Sequence, residues 1–122
     1  MDPAPAAVVQ RQLDAYNAKD LPALLAVYAA DAELYEHPAT LLAKGTTQLG
    51  ERFALRFKEP NLHAELLNRI VLGDLVVDYE KVTRTFPEGP GWVEFVMIYE
   101  VRDGRIARAW TKVGPKVLDR GA

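Results

Sequence analysis

The chain has 122 residues, 49% of them apolar, which is enough for one domain with its own core and too short for two. Fifteen lysines and arginines against 17 aspartates and glutamates give a net charge of −2 with no basic cluster, so nucleic acid and anionic membranes are not expected partners. Without cysteine, disulfide and thiolate chemistry are excluded.

In chain order, Val8, Val9, Gln12, Leu13 and Tyr16 recur at helical spacing and predict a first helix over about residues 5–19. Asp20 reads as an N-cap with Pro22 in the first turn, and a second helix over about 21–30 completes an α-hairpin. The same stretch is the longest apolar run, about ten residues against the roughly 18 or more that cross a bilayer, so no membrane span is expected. The N-terminal MDPAPAAVV carries an acid and two prolines where a secretory signal would carry basic residues, and a cytoplasmic protein is expected. Residues 32–37 alternate and stop at Pro38, as a short strand would. After Gly45, Leu49, Phe53, Leu55 and Phe57 predict a third helix closed by Pro60. Turn signals at Gly73-Asp74, at the five-residue loop PEGPG and at Arg102-Asp103-Gly104 then divide four strands, roughly 62–72, 75–86, 92–102 and 105–113, into an antiparallel meander. The remaining segment, 114–122, reads as a frayed tail.

A three-residue loop at Arg102-Asp103-Gly104 pairs Met97 with Ala109 and Tyr99 with Ala107. One sheet face then carries Val93, Phe95, Met97, Tyr99 and Val101 with Ala107, Ala109, Thr111 and Val113, and is dry. The other carries Glu94, Val96, Ile98, Glu100, Arg108, Trp110 and Lys112. The small side chains on the last strand leave room beneath the helices, either for large helix residues or for a cavity.

The segment VVQRQLDAYNAKDLPALLAVYAADAELYEHP, the Gly45 entry to the third helix and the final VRDGRIARAW together resemble the nuclear transport factor 2-like superfamily, in its SnoaL-like and ketosteroid-isomerase-like members, over about residues 8–113. The resemblance implies a single SnoaL-like domain spanning 1–122 and an α+β fold. Its expected form is a cone-shaped, curved, antiparallel-rich sheet wrapped around N-terminal helices in the order α-α-β-α-β-β-β-β, a cystatin-like α+β barrel with an apolar pocket. It also implies a homodimer through the outer sheet face. At the positions where ketosteroid isomerases carry their catalytic tyrosine, aspartate and second acid, this chain has Gln12, His37 and Met97, so that isomerase mechanism is not expected.

His37 holds the general-base position of the resemblance, and an imidazole titrating near ~6.5 suits proton transfer. Tyr35, two residues earlier on the same strand face, would share the pocket and bind substrate. A two-residue loop at Gly73-Asp74 pairs Arg69 with Asp78 and Leu67 with Glu80, gathering three charges on one face. Hydrophobic pattern turns that face outward and alignment with the isomerases turns it inward, and the sequence leaves both open. If inward, Asp78 and Glu80 join His37 as catalytic residues, Arg69 orients them, and Phe95, Met97 and Tyr99 line the substrate site. His63 and Glu65 read as solvent-exposed. No metal-ligand spacing, phosphate loop or nucleophile elbow is present, so no metal and no ATP or nicotinamide cofactor is expected. The expected activity is that of an acid/base lyase, isomerase or hydrolase on a small apolar ligand. The alternative is a noncatalytic ligand-binding or dimerisation module.

Overall fold

The computed structural model describes residues 2–119. Helix α1 (Pro5–Ala18) starts on Pro5, whose missing N–H costs nothing in a first turn, and buries the stripe Val8, Val9, Gln12, Leu13, Ala15 and Tyr16. Asp20 caps α2 (Leu21–Ala26), its carboxylate accepting the Ala23 N–H at 3.1 Å.

The second helix is four residues shorter than its alanine- and leucine-rich sequence suggests. The Val27 carbonyl accepts the Ile106 N–H at 2.8 Å, and β1 (Tyr28–Glu36) has already begun. Sheet pairing overrides local helix propensity there. A second unanticipated strand, β2 (Thr40–Lys44), folds back on β1 and leads into α3 (Gly45–Arg56), where Gly45 takes φ +82°, a left-handed conformation that glycine adopts without cost. The Lys44 N–H donates to the Gln48 side chain at 2.8 Å and secures the junction.

The meander β3 (His63–Leu72), β4 (Leu75–Phe86), β5 (Gly89–Arg102) and β6 (Arg105–Val113) follows as expected. PEGPG is not a five-residue loop: Phe86 pairs with Gly89, so Pro87-Glu88 form a two-residue turn and β5 starts three residues earlier. The tail is not wholly frayed either, because β7 (Val117–Leu118) pairs with Trp92 and Gly91 of β5. Positions 120–122 of that tail lie outside the described residues.

The sheet order is β2-β1-β6-β5-β4-β3, with β7 beside β5; β1 and β6 run parallel and the other pairs antiparallel. β2 and β3 end the sheet without pairing to each other, so the α+β cone is an open, mixed sheet and not a closed barrel. Bulges interrupt β1, β3 and the β5–β6 ladder, and each bends its strand, curving the sheet around α1 and α3.

Two of these bulges correct expected pairings. At the β5–β6 turn, Arg102 pairs with Arg105 and Val101 with Ile106, the geometry of a two-residue loop. A register shift between Glu100 and Val101 then sets Tyr99 opposite Ala109 and Met97 opposite Thr111, in place of Ala107 and Ala109. Ile106, not Ala107, becomes the fully buried residue of that turn. On β3, Arg69 pairs with Asp78 as expected, but a bulge at Leu67 places Leu66 opposite Glu80 and leaves Leu67 exposed.

Candidate functional site

The inner face of β4 carries Val76, Asp78, Glu80 and Val82, all buried, so the charges face inward, against the outward reading of the hydrophobic pattern. They are tolerable there because most are paired. Arg69 grips Asp78 with two bonds, Nε to Oδ1 at 2.7 Å and Nη2 to Oδ2 at 2.9 Å, and its Nη1 donates to Gln10 Oε1 on α1 at 2.9 Å. Asp78 has no exposed surface and is committed to that pair.

Glu80 has no such partner. It is 5% exposed, and its Oε2 is buried without a hydrogen bond. Burial, reinforced by the neighbouring Asp78 carboxylate and opposed by Arg69, pushes its pKa up to about 7. Near neutrality this carboxyl therefore divides between its acid and base forms, unlike an ordinary surface glutamate.

Glu80 lines a cavity of about 100 Å³ between the helices and the sheet. Leu13 and Tyr16 from α1, Phe53 from α3, and Leu34, Val82, Phe95 and Met97 from the strands form its largely apolar wall. The small Thr111, facing Met97 across the ladder, leaves part of this space open. Gln12 and Tyr99 add polar atoms: the Tyr99 hydroxyl donates to Gln12 Oε1 at 3.2 Å, and Gln12 Nε2 donates to the Tyr28 hydroxyl at 3.4 Å. Burial raises the pKa of both tyrosines, so both hydroxyls keep their protons. Of the lining residues, Arg52 and Val113 are exposed, so the cavity opens between α3 and the end of β6.

The expected site residues are thus divided. Glu80, Phe95, Met97 and Tyr99 come together in the cavity. Asp78 and Arg69 stand behind it as an ion pair, the carboxylate buried and the guanidinium partly so. His37 and Tyr35 are elsewhere, which corrects their expected place in the pocket. Tyr28, Ala32 and Leu34 are the buried positions of β1, so alternation sends Tyr35 to the outer face, where its ring stacks on Trp110 at 5.8 Å and its hydroxyl donates to Glu33 at 2.9 Å. His37 lies beyond the strand end, exposed, with its backbone N–H on the Thr111 carbonyl at 2.9 Å. Gln12 was visible as the one polar member of an apolar helical stripe. Arg52 and Arg56 carried only an i,i+4 spacing, a pattern common on any solvated helix.

Helices seated in a curved open sheet around a side-chain-lined pocket define a cone-type member of the nuclear transport factor 2-like superfamily. Within it, the chain belongs to the SnoaL-like domain family, whose model matches residues 9–109. Solved structures agree in fold. An uncharacterised cystatin-fold protein from Novosphingobium aromaticivorans has a TM-score of 0.83 at 21% identity, covering 90% of this chain and 98% of that one. A candidate polyketide cyclase from Sinorhizobium meliloti has a TM-score of 0.70 at 27% identity, with 87% and 94% covered. IdmH from Streptomyces antibioticus, also a candidate polyketide cyclase, has a TM-score of 0.75 at 21% identity, with 89% and 91% covered. No curated protein sequence matches the chain. No helix of the described residues is long and apolar enough to cross a membrane.

Proposed function

We propose that this protein binds a small apolar molecule in the cone cavity and moves a proton on it, with Glu80 as the general acid or base and Gln12, fixed between Tyr99 and Tyr28, donating its second amide N–H to a ligand oxygen. The observation that carries the reading is the unpartnered buried Oε2 of Glu80 facing an apolar cavity. A buried polar group without a partner costs about 1–3 kcal/mol, and a bound ligand proton or hydroxyl would supply that partner. The reaction class is isomerisation, elimination or addition at a carbon beside a carbonyl, in which one carboxyl takes a proton and a hydrogen-bond chain steadies the oxygen. The polyketide-cyclase descriptions attached to the Sinorhizobium and Streptomyces proteins support small-molecule chemistry of this kind. Asp78 and Arg69 serve as positioning residues that fix the charge beside Glu80, and His37 is left out of the site. Incubation with small cyclic ketones in D₂O tests the proposal: the protein should accelerate deuterium entry at the α-carbon, and Glu80→Gln should lower that rate by about 100-fold or more. Exchange equal in the two proteins, or equal to buffer, overturns it.

The second element of the proposal is a homodimer through the outer sheet face. Ile70, Val77, Ile98, Trp110 and Tyr35 are successive cross-strand neighbours on β3, β4, β5, β6 and β1, which makes one apolar stripe across five strands. Ile70 is 59% exposed. Light scattering should give twice the chain mass for the wild type and the single-chain mass for Ile98→Lys. A wild type that stays monomeric at tens of micromolar sinks the dimer.

A further inference from the structure

The two ends of the cavity differ in charge. At the inner end the lining holds one carboxyl, Glu80; at the opening it holds two guanidiniums, Arg52 and Arg56, one helical turn apart on α3. Arg56 is half-buried, its Nε 3.6 Å from Glu59 Oε2. That carboxylate is already engaged, since Arg84 donates to both its oxygens at 2.8 Å and the Thr85 N–H donates to Oε1 at 2.9 Å. Arg52 makes no ion pair among the described residues. Arg56 and Arg84 therefore share one carboxylate, and Arg52 adds a further positive charge at the opening. Burial and the facing Arg84 both work against the charge on Arg56, a penalty that an incoming anion would relieve.

Size narrows the occupant. An apolar cavity of roughly 150 Å³ encloses benzene whole, so about 100 Å³ that opens to solvent takes no more than a single ring, with any substituent emerging at the mouth.

We propose that the cavity takes a small monocyclic carboxylic acid, its ring packed among Phe53, Phe95 and Met97 and its carboxylate bound at the opening by Arg52 and Arg56. The inference rests on the cavity being the ligand site, as argued for the proton-transfer reading, and adds the charge of the ligand. Planar guanidiniums favour a carboxylate because their paired N–H groups match its two oxygens.

Ligand-detected NMR titration of the full chain separates the two claims. The probes are benzoate and cyclohexanecarboxylate, each against its neutral amide of the same shape. The acids are expected to bind about ten-fold more tightly than the amides, because hydrogen bonds to charged partners are the stronger kind. Arg52→Gln, at an exposed position, should weaken the acids by about three-fold and leave the amides unchanged. Amides binding as tightly as acids, or acids indifferent to Arg52→Gln, overturn the anionic ligand while the cavity stands. Failure of all four probes overturns both.

Discussion

Glu80→Gln is expected to stabilise the folded protein by about 3 kcal/mol at pH 8 and to change little at pH 4.5, because one pKa unit corresponds to about 1.4 kcal/mol. The Glu80 pKa is about 7 in the fold against an ordinary value of 4.5. Below the lower value both folded and unfolded chains hold the proton, and burial of a neutral carboxyl adds no pH dependence. Between the two, the folded state keeps a proton that the unfolded state has released, so stability falls as pH rises. Above about 7 the fold carries a buried carboxylate and the loss is complete. Glutamine has the shape of the protonated acid and no charge at any pH, so it escapes the penalty. Urea unfolding of both proteins at the two pH values reads the effect. A stability difference that is the same at both would show that Glu80 is not held in its acid form by the fold. A residue that destabilises the protein it belongs to at neutral pH, and that lines its cavity, has the profile of a group retained for chemistry.

Much of this architecture is legible in local pattern. The helical stripe of α1, the Asp20 cap, the Gly45 entry to α3 and the Gly73-Asp74 turn each follow from residues within a few positions of one another. The departures come where distant strands decide. The end of α2 depends on β6 claiming the Val27 carbonyl, and β2 depends on β1 as its template. The bulges at Leu67 and before Val101 exist because the sheet must curve, a demand that no five-residue window contains. The candidate site followed the same division. Phe95, Met97 and Tyr99 were found because alternation along one strand orients them together. Tyr35 and His37 fall outside the cavity because the inward parity of β1 is set by Tyr28, Ala32 and Leu34, of which Tyr28 reads locally as part of the second helix and the other two do not announce a core face. Asp78 and Glu80 could be resolved only by the fold, since Val77 and Tyr79 beside them lie on the outer face and look equally fit for an interior.

Arg69→Met is expected to cost about 3–5 kcal/mol, the largest loss of any single substitution named above, because it strands a carboxylate that has no exposed surface. Asp78 receives two bonds from Arg69 and shares a strand face with Glu80, and no other cation among the described residues pairs with it. Arg69 itself keeps some solvent contact and a second partner in Gln10, so the reverse change, Asp78→Val, should cost less: the freed guanidinium can turn outward along its stem. Joining the two changes as Arg69→Met and Asp78→Val should recover most of the loss, to within about 1 kcal/mol of the wild type, since Val76 and Val82 already make the same face apolar. Chemical denaturation of the four proteins closes the cycle. Additive losses in the double variant would mean that the pair is not the reason Asp78 can be buried, and the charge beside Glu80 would need another source of compensation.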